Sequence, residues 1–381
     1  MTDTRADQHD TSHPQLVALL REEIATQGRI TFARFMEIAL YHPEYGYYTA
    51  PTVRAGIEGD FLTAPETDPI FGHALARQVA ECWRRLGQPS TFTIRESGAG
   101  RGTLAGQIVA GLQAEVPEML PTLRYELDDV NPDRLAEARA ALSSAAPQVS
   151  VGAAGKQPCS GVILANELLD ALPFHRLVWT GGQLLERWVS WRDGWFADEL
   201  GTLSDPCLAE PLDGLPLIEG QALEVSLAAK RWAATLGTRV TRGYVLLIDY
   251  GYPREELYAP SRASGTLKTY HQHLVAEEPY RHIGHQDITA HVDFSLVIAA
   301  ATAAGLDLLG LTTQAYFFAG LGIEELLLAL QSTGDPYRYV NAREAVMHLL
   351  DPRGLGRFRV LLLAKDAPVA PPLRGLTFTL R

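Results

Sequence analysis

Residues 96–102 of the 381-residue chain are Glu-Ser-Gly-Ala-Gly-Arg-Gly, an acid followed by three glycines at alternate positions. The segment follows a predicted short strand, residues 92–96, and precedes a helical pattern that extends to about residue 113. Glycines between a strand and a helix allow a tight turn with positive φ and let the backbone approach a ligand closely. The loop is therefore a candidate cofactor site, although a glycine-rich turn without a ligand would have the same pattern.

The spacing of these glycines discriminates between two cofactors. A nicotinamide dinucleotide site prefers G-x-G-x-x-G, but position 103 is threonine and the third glycine comes one residue early, at Gly102. The acid at the head of the loop, Glu96, suits S-adenosylmethionine better, because the amino-acid end of that molecule carries an ammonium group that a carboxylate attracts. We therefore predict S-adenosylmethionine as the cofactor and disfavour an NAD-dependent oxidoreductase.

A second acid is expected after the next strand, where it would accept hydrogen bonds from the ribose hydroxyls. Asp128 and Asp129 occupy this position, and we favour Asp129 with Asp128 as the alternative. A competing interpretation is that both acids only complement the N-terminus of a helix that begins at Pro132.

Three polar residues follow a buried apolar run over residues 161–165, namely Asn166, Glu167 and Asp170. In open α/β sheets the ligand crevice lies at the carboxyl ends of the strands, where these residues are expected. An amide carbonyl and carboxylates stabilise positive charge, so they could face a sulfonium or hold a cationic nucleophile. The alternative is that Asn166 only caps a short helix. Asp249 follows the next central strand and would lie at the same carboxyl edge of the sheet.

The stretch 270–293 is rich in histidine and aspartate. A metal site is disfavoured there, because the spacing matches no standard zinc pattern. A general-base histidine, for which we choose His291, would suit an oxygen nucleophile whose proton must leave, whereas structural histidines are the commonest outcome. Before the predicted sheet, Thr63 lies in a polar, turn-rich stretch with Gly59 and Asp60 that could fold over the cofactor, although a purely structural loop is an equal alternative.

The elements that must position these residues alternate between strands and helices from about residue 91, which is typical of a doubly wound parallel sheet. Strands are predicted near residues 92, 123, 148, 161, 244, 306 and 358. Helices are predicted over 14–27, 31–40, 70–86, 218–236 (ending at Gly237) and 292–304, and within 314–350. Two β-rich stretches around a Gly-Gly turn indicate an antiparallel insertion at 174–196, and residues 252–290 are rich in loops.

Composition excludes several classes of protein. Acids outnumber bases 45 to 33, giving a net charge of −12, which disfavours nucleic-acid binding through phosphate neutralisation. Three widely spaced cysteines argue against a disulfide framework and against a cysteine-rich zinc site. The polar N-terminus lacks a signal-peptide pattern, and the longest apolar run, residues 296–311, is interrupted by a glycine and an aspartate. We predict a cytoplasmic protein without membrane insertion.

Five longer motifs resemble, in order, those of the MidA-like family of class I S-adenosylmethionine-dependent methyltransferases, which includes the mitochondrial complex I assembly factor. They are the stretches 59–72, 96–104, 163–176, 246–251 and 264–294. The resemblance extends over about residues 15–365 and implies a seven-stranded Rossmann-like sheet with helices on both faces, whose last strand runs antiparallel. The seven predicted strands agree with this fold.

We accordingly predict an α/β protein in three regions. Residues 1–90 form an N-terminal helical cap and lid loop, residues 91–365 form the methyltransferase core with insertions at about 174–215 and 252–290, and residues 366–381 form a proline-rich C-terminal tail. The antiparallel β insertion belongs to the first of the two inserted segments.

The resemblance also implies roles for individual residues. Gly98, Gly100 and Gly102 match the cofactor loop, in which Ser97 replaces the usual leucine. Asp129 matches an acid that the family usually has as glutamate before Ser-Pro, and here Asn131 and Pro132 follow. Asn166, Glu167 and Asp170 match the A-N-E-x-x-D-A-L-P motif. The predicted cofactor-binding residues are Glu96, Gly98, Gly100, Gly102, Thr103, Asp129, Asn166 and Thr63, the predicted catalytic residues are Glu167, Asp170 and His291, and no metal is predicted.

The predicted function is methyl transfer from S-adenosylmethionine, most naturally to a protein nitrogen such as an arginine guanidinium. A guanidinium stays protonated at neutral pH, so carboxylates such as Glu167 and Asp170 would have to orient it. The alternatives are a small-molecule O- or N-methyltransferase and a non-catalytic assembly factor that retains the cofactor pocket. The expected partner is a protein or small-molecule methyl acceptor, not nucleic acid. A homodimer is also expected, because C2 dimers are the commonest oligomers.

Overall fold

The computed structural model of the chain describes residues 11–50, 64–332 and 334–378. The α-helices are α1 (Pro14–Gln27), α2 (Phe32–Tyr41), α3 (Ala64–Thr67), α4 (Ile70–Arg85), α5 (Thr103–Glu115), α6 (Pro132–Ala145), α7 (Leu227–Arg239), α8 (Arg254–Leu257), α9 (Phe294–Ala303), α10 (Gln314–Gly320), α11 (Ile323–Gln331) and α12 (Pro336–Leu350). The β-strands are β1 (Ile30–Thr31), β2 (Phe92–Ser97), β3 (Leu123–Asp128), β4 (Ser150–Ala153), β5 (Cys159–Asn166), β6 (His175–Thr180), β7 (Gln183–Arg192), β8 (Trp195–Gly201), β9 (Ala222–Val225), β10 (Val240–Asp249), β11 (Gly251–Tyr252), β12 (Lys268–His271), β13 (Leu274–Ala276), β14 (Asp287–Thr289), β15 (Val292–Asp293), β16 (Asp307–Thr313) and β17 (Arg359–Lys365).

The chain divides into two compact units, each built from several segments. Among the described residues, the first unit combines the segment up to residue 50 with residues 169–233 and 251–300. The second unit combines residues 64–168, 234–250 and 301–378.

The second unit contains a seven-stranded sheet in the order β16-β17-β10-β5-β2-β3-β4. From β10 to β4 neighbouring strands are parallel, whereas β17 is antiparallel to both β16 and β10. The predicted number of strands and the antiparallel last strand are therefore confirmed. Strands β5, β10 and β17 contain continuous apolar runs, as burial on both faces requires, and Val360 to Ala364 of β17 are fully buried.

Register places the ends of four strands at one edge of this sheet. Ser97 at the end of β2 is opposite Asp128 of β3 and Ala165 of β5. Asn166, the last residue of β5, is opposite Ile248 of β10. The loops that follow β2, β3, β5 and β10 therefore all leave from the carboxyl edge, where the polar residues were expected to meet.

The first unit is dominated by antiparallel strands. Its largest sheet has the order β1-β7-β6-β9, with β8 also pairing with β7. Helices α1 and α2 contribute to an apolar cluster with residues of this unit, including Phe174, Val189 and Phe196. The predicted β insertion is confirmed, and it continues beyond residue 196 because β9 adds to its edge.

The predicted helix over residues 218–236 is wrong in its first half. Residues 222–225 form β9, which pairs with β6, and Gly220 turns the chain into this strand with a φ of 79°. The helix α7 begins only after Ser226, whose hydroxyl accepts a hydrogen bond from the backbone N–H of Ala229 at 3.0 Å. A short apolar run cannot be assigned to strand or helix from periodicity alone.

Gly237 does not end this helix, as its sequence position had predicted, but lies inside it. A Cβ atom at this position would lie 2.1 Å from the carbonyl oxygen of Ala304. The glycine is therefore required by the close approach of the chain segment before β16, not by a helix terminus.

Replacement of Gly237 by alanine is expected to lower the free energy of unfolding by about 2 kcal/mol, because the overlap outweighs the better helix propensity of alanine. Gly106 within α5 is the matched control, since a Cβ atom there would meet nothing within 4 Å in the described parts of the chain. Gly106→Ala should raise the free energy of unfolding by ~0.8 kcal/mol. Denaturant titration measures both, and equal effects of the same sign would refute the packing explanation for Gly237.

Candidate active site

The glycine loop connects β2 to α5 in the second unit. Gly98, Gly100 and Gly102 all have positive φ, at 72°, 52° and 76°. A Cβ atom at Gly98 would lie 3.1 Å from the side chain of Leu168, and one at Gly102 would lie 2.9 Å from the Cβ atom of Ala138. At Gly100 it would meet none of the described residues within 4 Å. Two of the glycines are thus needed by the packing of the protein, while the backbone at Gly100 faces open space.

The two candidate acids after β3 have different environments. Asp129 accepts hydrogen bonds from the backbone N–H of Gly100 at 2.8 Å and of Asn131 at 2.9 Å, so its carboxylate lies against the glycine loop. Asp128 instead forms an ion pair with Arg239 at 3.0 Å. The geometry favours Asp129, the residue preferred from the sequence.

Glu96, at the head of the loop, is buried, and its Oε2 accepts a hydrogen bond of 2.5 Å from the hydroxyl of Tyr125. Burial raises the pKa of Glu96 to about 7, an effect that the nearby Asp129 charge increases and the Tyr125 hydrogen bond opposes. Tyr125 is not among the residues predicted from the sequence. The signal for it is its place in the pairing register: Leu127 is opposite Glu96, and Tyr125 is the diagonal neighbour on the same face of the sheet.

The raised pKa predicts a pH dependence of stability. Because the folded chain holds the proton of Glu96 more tightly than the unfolded chain, the stabilising contribution is complete below about pH 4.5 and is lost as the pH rises through about 7. Glu96→Gln removes this titration. The free energy of unfolding of this variant, relative to that of the wild type, should therefore increase by on the order of 2 kcal/mol between pH 4.5 and pH 8. Parallel curves for the two proteins in denaturant titrations would contradict the assignment.

Glu167 is the most strained residue of the candidate site. It is not a glycine, yet its φ is 50°, and its backbone N–H donates to the carbonyl of Ile248 at 2.9 Å. Its Oε1 accepts hydrogen bonds from Asn166 Nδ2 at 3.1 Å and from the backbone N–H of Ala64 at 3.4 Å. Such a backbone conformation costs on the order of 1–3 kcal/mol and persists where the surrounding structure holds it, often at functional sites.

Asn166 supplies a second acceptor beside Glu167. Its Oδ1 is buried and, among the described residues, has no hydrogen-bond partner. A buried carbonyl oxygen without a partner is rare in folded proteins and is usually explained by a water, an ion or a ligand. Asn166 and Glu167 together place acceptor oxygens at the carboxyl end of β5, an arrangement that suits a cationic group.

Asp170 and His291 belong to the first unit and line one small cavity there with Glu224 and Asp293. The cavity has a volume of about 20 Å³, enough for one water molecule. The backbone N–H of His291 donates to the hydroxyl of Thr266 at 3.1 Å, and burial raises the pKa of Asp293 to about 6. The structure therefore brings two of the three predicted catalytic residues together.

The remaining predicted residues are placed as follows. Thr103 is the first residue of α5, directly after the glycine loop. Thr63, with Gly59 and Asp60, lies outside the described residues. His271 stacks on His282 with ring centroids 4.1 Å apart, and the described parts of the chain contain no group of three or more His, Cys, Asp or Glu side chains that could hold a metal ion.

Comparison with known proteins defines the class. A family model described as S-adenosyl-L-methionine-dependent methyltransferase matches residues 74–312. A crystal structure of a Burkholderia thailandensis protein bound to S-adenosyl-homocysteine has 34% sequence identity and a TM-score of 0.88, with 95% of this chain and 94% of that one covered. Fold and sequence together define a class I methyltransferase whose methyl donor is S-adenosylmethionine.

Curated relatives narrow the class to a family. The protein arginine methyltransferase NDUFAF7 homolog, mitochondrial, of Drosophila melanogaster is 29% identical over 93% of this chain and 86% of its own length. Its human counterpart, protein arginine methyltransferase NDUFAF7, mitochondrial, is 26% identical over 90% of this chain and 82% of its own. The chain belongs to the MidA-like family of S-adenosylmethionine-dependent methyltransferases, as its motifs predicted. Within the described ranges, no helix combines the length and hydrophobicity needed to cross a membrane.

Proposed function

We propose that this methyltransferase modifies an arginine side chain of a protein. The observation that carries the proposal is Glu167, a charged residue held at a φ of 50° at the carboxyl end of a central strand. The names of the curated relatives, which are protein arginine methyltransferases, support the same conclusion.

The residues around the glycine loop fit the methyl donor. The open space at Gly100 allows the backbone to approach a ligand, and Asp129 beside it offers a carboxylate for ribose hydroxyls. We assign Glu96, Gly98, Gly100, Gly102, Thr103, Asp129 and Asn166 to this site, with Thr63 from the sequence motif. The bound donor supplies a methyl group activated by a sulfonium.

Glu167 is proposed to orient the acceptor. A guanidinium enters the site protonated, because its pKa exceeds about 12. A carboxylate that accepts its N–H groups holds one nitrogen in position and counters the positive charge, and such positioning alone lowers the barrier substantially. The methylated guanidinium keeps one positive charge, so one proton leaves during the reaction, and a carboxylate in contact with the departing N–H favours that loss. Asp170, three residues later, is proposed as the second carboxylate, and His291 as the proton acceptor if the nucleophile is an oxygen.

Quantitative mass spectrometry of methylated peptides tests the function. Cells with and without the protein are compared, and peptides that lose methylarginine are then methylated with the purified enzyme and labelled S-adenosylmethionine. We expect at least one arginine site that depends on the protein in both settings. Turnover on a metabolite alone would favour the small-molecule alternative, and cofactor binding without any turnover would favour a non-catalytic assembly factor.

Two further expectations accompany this proposal. We propose a cytoplasmic location, whereas the curated relatives are named as mitochondrial proteins. A homodimer is proposed only from the general frequency of such assemblies. Size-exclusion chromatography with light scattering tests it directly, and a monomeric mass would contradict it.

A further inference from the structure

A groove in the first unit plays no part in the proposed cofactor site. It has a volume of about 440 Å³, within the range of ligand pockets, and all its lining residues belong to this unit. We call it the 206–217 groove. Its lining residues are Trp179, Leu184, Pro206, Ala209, Glu210, Leu212, Asp213, Gly214, Leu215 and Leu217.

The wall of the 206–217 groove is mostly apolar, with one large aromatic side chain. Trp179, Leu184 and Leu217 are only half-buried. Ile218, next to Leu217, is 42% exposed and extends the apolar surface. Tryptophan is the residue type most favoured both for anchoring partners and for contacts with cations.

The chain around the 206–217 groove is strongly acidic. Between Arg192 and Lys230 there are eight aspartates and glutamates and no lysine or arginine. Of these acids, Asp198, Glu199 and Glu210 form ion pairs and Glu224 is buried. Two of these acids line the groove. Glu210 forms an ion pair with Lys230 at 2.6 Å, whereas no ion pair to the Asp213 carboxylate is found among the described residues. The pKa of Glu210 is lowered by its hydrogen bond to Lys230, so it is ionised at neutral pH.

The acidic rim is held in place by the protein. The guanidinium of Arg254 donates to the backbone carbonyl of Asp213 at 2.5 Å. This hydrogen bond holds the backbone of Asp213, whereas the direction of its carboxylate depends on the side-chain rotamer. Gly214, with a φ of 73°, turns the chain directly after it. A fixed rim loses little entropy when a partner binds.

We propose that the 206–217 groove binds a segment of the protein methyl acceptor that combines basic and apolar residues. This inference rests on the proposed function for the identity of the partner. The occupant follows from charge complementarity: an apolar wall with Trp179 takes aliphatic or aromatic side chains, and Asp213, the rim acid that forms no ion pair among the described residues, takes a lysine or arginine. A second copy of this chain is a poor occupant, because its net charge is −12.

Peptide binding tests the proposal with the full-length protein. The probe is a fluorescein-labelled synthetic peptide of sequence GLRFLRG, measured by anisotropy, and the comparison peptide has serine in place of leucine and phenylalanine. We expect Asp213→Lys to weaken binding of the first peptide about tenfold and Trp179→Ala to do the same. The matched control is Glu22→Lys on α1, an exposed acid in this unit, which should change the affinity by less than about twofold.

The outcomes separate this inference from the proposed function. Equal affinity of wild type and Asp213→Lys, equal affinity for the two peptides, or no binding by the wild type would each overturn the groove assignment. Asp213→Lys keeps the test valid if Trp179→Ala fails to fold, since residue 213 is exposed. S-adenosylhomocysteine titration and the mass spectrometry described above report on the methyltransferase reaction without reference to the groove. Peptide binding in the groove can therefore be found while arginine methylation is not, and arginine methylation can be found while peptide binding is not.

Discussion

Gly100→Val is expected to weaken the binding of S-adenosylhomocysteine at least about 100-fold, or ~2.7 kcal/mol, while the protein remains folded. A Cβ atom at Gly100 would meet no atom of the described part of the chain within 4 Å, so the branched side chain would fill the space that the contact between cofactor and backbone requires. Isothermal titration calorimetry measures the affinity, and circular dichroism checks the fold.

The control for this substitution must carry the same backbone strain. Gly87, two residues after the end of α4, has a φ of 86°, and a Cβ atom there would likewise meet none of the described residues within 4 Å. Gly87→Val therefore imposes a comparable conformational cost before β2, whereas the glycine loop follows that strand. Its affinity for S-adenosylhomocysteine should stay within about twofold of wild type, since strain at an independent position does not reach the ligand. Equal losses in both variants, or none in Gly100→Val, would remove the glycine loop from the binding site.

Glu167→Gln should slow single-turnover methylation by about 100- to 1,000-fold and leave the dissociation constant of S-adenosylhomocysteine within ~threefold. The glutamine keeps the shape of the side chain and an acceptor for Asn166 Nδ2, but it lacks the charge that orients a protonated guanidinium. Rapid-quench measurements on the acceptor peptide found by mass spectrometry give the rate.

Glu118→Gln provides the comparison, because it removes one negative charge from an exposed position in the same unit. Its single-turnover rate should match that of the wild type. A wild-type rate in Glu167→Gln would show that this carboxylate is not needed for the chemistry, and a matching loss of cofactor affinity would move Glu167 from the acceptor side to the cofactor site.

The sheet and the glycine loop could be predicted from the sequence because each depends on short-range patterns. Apolar runs such as residues 161–165 have few alternatives to a buried strand, and glycines between a strand and a helix have a local conformational reason. The antiparallel direction of β17 was implied by the family resemblance, which supplies long-range information that periodicity lacks.

What could not be predicted depends on contacts between distant residues. The pairing of Tyr125 with Glu96 requires the register between β2 and β3, which no local pattern contains. Gly237 looked like a helix terminator because the approach of Ala304 cannot be inferred from the residues around Gly237. The positive φ of Glu167 cannot be predicted from the sequence either, since glutamate has no intrinsic preference for that conformation.

The position of β17 has a consequence for biosynthesis. This strand lies between β16 and β10 in the sheet, yet it is synthesised after every other strand of that sheet. Until it inserts, the long edge of β10 has no neighbour on that side and offers a row of unsatisfied backbone groups to other nascent chains. Folding of the unit that contains this sheet is therefore obligatorily late and non-local, and truncated or stalled products of this gene are the species that chaperones must shield from aggregation.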